Sequence, residues 1–208
     1  MLDDNWELIN GDDAHRIEAL NAANTVNVIE ALITFLVHHR SKDFLRKNVL
    51  CELHRTGTLF LLREPGHFRQ IEVHVTDPSG ATVHQPPPHA SVAGHMEDFF
   101  STLAVLWSTS DALDVASYAL WRINWIHPFV NGNGRTARAF AYACLSAHLG
   151  VLLPGKITII DQIMETRGEY QKALKAADDC DSAGKEPDLR MMKAYLNLLL
   201  QNQINSIL

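Results

Sequence analysis

Residues 124–140 read NWIHPFVNGNGRTARAF. Histidine is the side chain whose unperturbed ionisation lies near neutrality, so His127 can take a proton at physiological pH. Pro128 disfavours helical geometry at the residue before it, which presents His127 on a turn. Asn131-Gly132-Asn133-Gly134 tolerates positive φ and leaves backbone N–H groups uncovered, and the chain then reads as a helix ended by Gly150. A loop running into a helix N-terminus attracts anions, because free amides and the helix dipole point at one place. Arg135 and Arg138, three residues apart, project from about the first turn on nearly one face and add charge-assisted contacts. Such a site suits phosphoryl or nucleotidyl transfer to a hydroxyl, with His127 as base and the amides and arginines stabilising phosphate charge. The same residues also fit a plain helix connector with solvated arginines and a structural histidine, and a glycine-rich loop alone does not separate the two.

Helices must hold that loop from both sides. Apolar residues at steps of three and four predict a helix over 14–40, with Ile17, Leu20, Val28, Leu32 and Phe35 inward and a break near Asn24-Thr25. Further helices are expected at 42–56, 92–108, 112–126, 133–149, 159–178 and 188–206. Between them, Ile71, Val73 and Val75 alternate with Glu72, His74 and Thr76 before a turn at Asp-Pro-Ser-Gly, which reads as a hairpin over 71–85 closed by Pro86, Pro87 and Pro88. The fold class is therefore mostly α with one short β-hairpin, in a single domain over 1–208.

The 208 residues, 47% hydrophobic and 20% charged, have an ordinary globular composition with a substantial core. A net charge of -6 argues against a general nucleic-acid or anionic-membrane binder, so any phosphate must meet a local site. The acidic start MLDDNWELINGDD is unlike a secretory leader, and no uninterrupted apolar run reaches membrane-spanning length, so a cytoplasmic protein without a membrane partner is expected. Cys51, Cys144 and Cys180 are widely spaced and read as reduced, structural residues. None of the eleven histidines shows metalloprotease spacing, and no zinc site is expected. The apolar C-terminal stretch either caps the core or mates with a partner, a homodimer included.

The segment HPFVNGNGRTAR, 127–138, resembles the signature of the Fic domain family, His-Pro-Phe-x-(Asp/Glu)-Gly-Asn-Gly-Arg-x-x-Arg, at every defining position but one. EPGHFRQIEV (64–73) is similar to the family's Pro-Gly-x-x-Arg approach to a hairpin called the flap, HQPPPH to its proline-rich exit, and RGEYQKAL (167–174) to its later Arg-x-x-Tyr helix. The resemblance implies a helical Fic-type domain that transfers AMP from ATP to a Ser, Thr or Tyr hydroxyl of a target protein. Relatives in the family transfer other nucleotidyl groups, phosphocholine or phosphate, so the alternative the resemblance leaves is a Fic enzyme with other chemistry: another nucleotidyl or phosphoryl transfer, or removal of AMP. His127 would be the base and Phe129 the inward anchor. Gly132, Asn133 and Gly134 would cradle the α- and β-phosphates, and Arg135 and Arg138 would hold the outer ones. Flap residues Glu72, Val73, His74 and Val75 would pair with an extended segment of the target. Tyr170 would stack near the adenine or simply pack.

Asn131 is the departure, standing where the family has an acid that holds Mg²⁺. Its amide oxygen can ligate a hard cation but brings no charge, which implies weakened metal binding, slow turnover, another donor, or nucleotide binding without turnover. TVNVIEAL (25–32) resembles a degraded copy of the family's inhibitory helix, with Glu30 in the place of the carboxylate that pairs with the second motif arginine, Arg138. An ordinary amphipathic helix with one exposed glutamate is the alternative.

Overall fold

The computed structural model describes residues 6–9, 11–39, 45–77 and 79–207. The described residues form eight α-helices and one two-stranded antiparallel sheet, the helical class expected. The helices are α1 (Gly11–His39), α2 (Lys47–Thr58), α3 (Val92–Thr109), α4 (Ala112–Ile126), α5 (Asn133–Leu149), α6 (Ile159–Glu165), α7 (Arg167–Ser182) and α8 (Arg190–Asn205). The strands β1 (Val75–Thr76) and β2 (Thr82–His84) lie between α2 and α3.

The central pair is α4 and α5, which share the most extensive helix contact and are joined by the 127–132 loop. Their ends are set by local chemistry. Asp111 caps α4 by accepting the amides of Leu113 and Asp114, and Gly150 closes α5 in the left-handed region at φ 73°. Trp121, Phe99, Phe129 and Phe140 are enclosed in the core between them and α3. α1 packs on α2 and α5, while α8 lies on α4, α6 and α7, so the C-terminal helix caps the core.

Several elements differ from the sequence expectation. α1 runs unbroken through Asn24-Thr25, and its inward stripe is Asn21, Ile29, Ile33 and Leu36. Leu20 and Phe35 face outward at 64% and 54% exposure. Asn21 turns inward because its Nδ2 donates to the Leu59 carbonyl at 2.8 Å, and the apolar stripe follows from that register. By length and composition α1 could cross a bilayer; here its inner face is packed on α2 and α5. The 159–178 stretch is two helices, split at Thr166, with α6 opened by a Thr158/Asp161 capping box. The hairpin is shorter than 71–85: pairing links only Val75 to His84 and Thr76 to Thr82. The Asp77 carboxylate holds its turn by accepting the amides of Ser79 and Ala81.

Candidate active site

His127 terminates α4 in the left-handed conformation, φ 51°, with its amide bonded to the Ile123 carbonyl at 2.9 Å. Its Nδ1 lies 3.3 Å from the Asn124 carbonyl, which can only accept, so Nδ1 carries the proton and Nε2 keeps its lone pair. Burial lowers the ring's pKa to about 4, against the Asn124 carbonyl's opposing pull, and the nearby His84 and Arg69 add to the lowering. The ring is neutral at pH 7 and free to accept a proton.

The loop after it is pinned from within. Asn133 is buried, and its side chain accepts the Phe129 amide at 2.9 Å and donates to the Phe129 carbonyl at 2.8 Å. Its side chain is therefore engaged, and only its backbone amide is left for a ligand. Phe129 points inward and stacks on His54, ring centroids 3.7 Å apart and 7° from parallel. His54 Nε2 donates to the Asn131 carbonyl at 2.9 Å while its Nδ1 accepts the Gly66 amide at 2.8 Å, which fixes the tautomer. Burial pushes this ring also to about 4, with the bond to the Asn131 carbonyl opposing and Arg135 and His67 adding. Gly132 has φ 80°, and a Cβ there would lie 2.6 Å from the Thr58 methyl, so both conformation and space require glycine.

α5 begins at Asn133 with no side chain capping it, leaving first-turn amides for a ligand. The two motif arginines have different surroundings, although Arg135 lies in the field of Arg138. Arg135 turns toward α1 and α2, donating to the Gly57 carbonyl at 3.0 Å and pairing with Glu18 at 2.9 Å. Tyr170 and Arg167 of α7, Tyr195 of α8 and Arg135 lie in the field of Arg138. Its Nε is buried without a hydrogen-bond partner, and no carboxylate among the described residues pairs with it. Desolvation, chiefly, lowers its pKa, yet guanidinium stays charged. In a chain of net charge -6, Arg138 lies in the field of two further cations, Arg135 and Arg167, the latter at the start of α7.

Glu30 is exposed on α1, and the ionisable group within its field is Tyr142, not Arg138. The expected Glu30–Arg138 contact is absent, and Glu18, three turns earlier, meets Arg135 instead. Asn131 does not fit a resident Mg²⁺ well. Its Oδ1 already accepts the Gly132 amide at 2.6 Å, and the described residues contain no cluster of three or more metal-binding side chains. Tyr170 packs: it is buried, and its hydroxyl accepts from Asn124 Nδ2 at 2.9 Å.

Of the four flap residues, only Val75 is in a strand. Glu72 is a tether, accepting the His89 amide and its Nδ1 at 3.1 and 2.7 Å, contacts that hold its carboxyl below the usual range. His74 bonds Gln85 at 2.6 Å. His54 and Arg69, which carry much of the loop's support, were not anticipated in these roles; an isolated histidine on an apolar helix face and the arginine of EPGHFR were the signals available.

The sequence profile of the Fic/DOC family matches residues 44–145, which include the flap, α4, the loop and most of α5. The chain is a Fic-domain protein. It is 31% identical over 121 residues to the protein adenylyltransferase Fic of Drosophila persimilis, an alignment covering 57% of this chain and 21% of that protein. The chain thus spans about a fifth of the length of that relative. A Fic family protein from Desulfovibrio desulfuricans G20 superposes with a TM-score of 0.70 at 21% identity, over 95% of this chain and 55% of the other. The BepC protein of Bartonella tribocorum, a VirB-translocated effector solved with bound AMPPNP, has a TM-score of 0.55 at 16% identity, over 89% and 86%. These two establish the fold alone.

Proposed function

We propose that this Fic domain is a protein adenylyltransferase. The target's Ser, Thr or Tyr hydroxyl oxygen attacks the α-phosphorus of ATP, its proton passes to His127 Nε2, and the bond to the pyrophosphate oxygen breaks as pyrophosphate leaves. The observation that carries this reading is a neutral histidine with its Nε2 lone pair free, on the loop that runs into an uncapped helix start, with Arg135 and Arg138 following on that helix. First-turn amides would take the α- and β-phosphates, and Arg138, whose Nε lacks a partner, the outer charge. Adenylyltransferase activity among its relatives and AMPPNP in BepC support ATP as the donor. No step is assigned to Mg²⁺. The neutral, self-bonded Asn131 favours one second reading, nucleotide binding without turnover.

The test uses ATP labelled on the α- or the γ-phosphate. Label reaching protein from α alone supports adenylyl transfer; label from γ alone means a kinase; nucleotide binding with neither means the second reading. A cytoplasmic location and a homodimer remain proposals, to be checked by fractionation and by light scattering.

A further inference from the structure

Arg69 has 2% of its surface exposed, the least of any arginine among the described residues. A guanidinium removed from water needs its hydrogen bonds replaced by the protein. Its Nε donates to the His127 carbonyl at 2.8 Å, its Nη1 to the Ile71 carbonyl at 3.0 Å and its Nη2 to the Pro87 carbonyl at 2.5 Å. Its backbone amide donates to the Pro128 carbonyl at 2.8 Å. Those four carbonyls belong to two parts of the molecule. His127 and Pro128 begin the motif loop, whereas Ile71 and Pro87 are the two roots of the hairpin. Glu72, 3.5 Å from Nη1, balances the charge and extends the clamp to His89.

The contact at His127 matters most. That residue holds a left-handed backbone at φ 51°, a conformation side chains rarely adopt and that surroundings must enforce. Its amide is fixed by the end of α4 and its carbonyl by Arg69. Ring direction follows from these two anchors, since the Nδ1 contact with the Asn124 carbonyl exists only while the turn is kept.

We propose that Arg69 is a positioning residue for the transfer reaction, locking the base His127 and both roots of the flap into one unit so that the strand presenting the target hydroxyl and the ring receiving its proton keep a fixed separation. This rests on the reading of His127 as the base. Arg69 touches no reacting atom. A lysine would keep the charge, but one ammonium cannot span carbonyls on the loop and on both roots as a planar fork does.

The test compares wild type, Arg69→Lys and Glu72→Gln by auto-modification kinetics, ATP binding by calorimetry, and side-chain ¹⁵N NMR of His127. In Arg69→Lys, kcat is expected to fall about tenfold or more at nearly unchanged ATP affinity, because misplacement by about an ångström has this scale of effect. The His127 nitrogens should shift from a single Nδ1–H form toward a tautomer mixture. A folded Arg69→Lys with wild-type kcat, or with the tautomer unchanged, overturns the proposal. If Arg69→Lys does not fold, Glu72→Gln decides: about a threefold fall in kcat at constant ATP affinity supports the clamp, and an unchanged kcat overturns it. If the wild type transfers nothing, the adenylyltransferase reading fails, while the His127 spectra still decide whether Arg69 holds the ring.

Discussion

The motif loop and the flap, which the proposed reaction brings to one site, are built in opposite ways. Between His127 and Gly132, backbone groups are taken up by buried or half-buried partners: Arg69 on the first two carbonyls, Asn133 on both polar groups of Phe129, His54 on the Asn131 carbonyl, and Thr136 on the Gly132 carbonyl. The flap is anchored at its roots by Arg69 and Glu72, yet its strands are two and three residues long and Val83 is 59% exposed. The difference teaches where order is needed before a ligand arrives. Phosphate must meet amides and a base already in place, because reorganisation during the reaction would raise the barrier. A short exposed strand is instead suited to being completed by a partner's main chain.

The largest effect should come from removing the base from the rigid region. His127→Ala is expected to reduce transfer by about 10³-fold or more while ATP affinity stays within a few-fold, since the ring acts on the nucleophile and the amides hold the phosphates. Calorimetry beside labelled transfer checks this, and normal turnover would remove His127 from the mechanism. Rigidity itself is tested by Gly132→Ala. With φ at 80° and the Thr58 methyl 2.6 Å from the new Cβ, it should cost about 2–4 kcal/mol in a denaturant melt. A matching substitution at Gly80 on the flap, φ 86° with open space around it, carries only the conformational part, about 1 kcal/mol. Equal losses at the two glycines would dissolve the contrast.

A buried histidine, His54, and a half-buried one, His127, give the loop a pH signature. His54 and His127 both titrate near 4 in the fold, below the usual 6.5, so the unfolded chain binds more protons over that interval. Stability from each is fully present above about pH 6.5 and declines as pH falls through 4, on the order of 2–3 kcal/mol for His54. Transfer should hold nearly flat from pH 7 down to about 5, because the base stays neutral. A rate that halves near pH 6.5 would mean that His127 is solvated like a free imidazole.

How far each region could be read from sequence follows the range of its contacts. α4 and α5 were legible because their limits are local: the Asp111 cap, the His-Pro step, the Gly132 start and the Gly150 end. The Fic signature carried the loop itself. The supports were not legible, since His54 reaches a carbonyl 77 residues away and Arg69 one 58 residues away, and nothing periodic marks such pairs. The flap was overdrawn because alternation continues through Glu72 and His74, whose side chains are committed to His89 and Gln85. On α1, helical period indicated a helix but not which stripe Asn21 would turn inward.

The smallest effect concerns how α1 touches the loop, and two glutamates divide the outcomes. Glu18 lies 2.9 Å from Arg135, with the two side chains 43% and 34% exposed, whereas Glu30 is exposed and lies in the field of Tyr142. A pair this open is coupled by about 0.2–1 kcal/mol, so Glu18→Ala should tighten ATP binding by no more than about fivefold if Arg135 must leave Glu18 to reach phosphate. Glu30→Gly should leave ATP affinity unchanged. Arg135→Ala alone should weaken ATP, and adding Glu18→Ala to it should bring no further gain, because the coupling vanishes once either partner is gone. Calorimetry on the four proteins of that cycle, with Glu30→Gly alongside, decides between the two carboxylates. Tighter binding in Glu30→Gly with none in Glu18→Ala would mean that α1 shifts when nucleotide arrives and brings Glu30 toward Arg138. Tighter binding in Glu18→Ala alone would assign restraint of the site to the ion pair already formed. It would also place that restraint on the exposed side of an otherwise internally held loop, where a partner or a movement of α1 could release it without disturbing Arg69, Asn133 or His54.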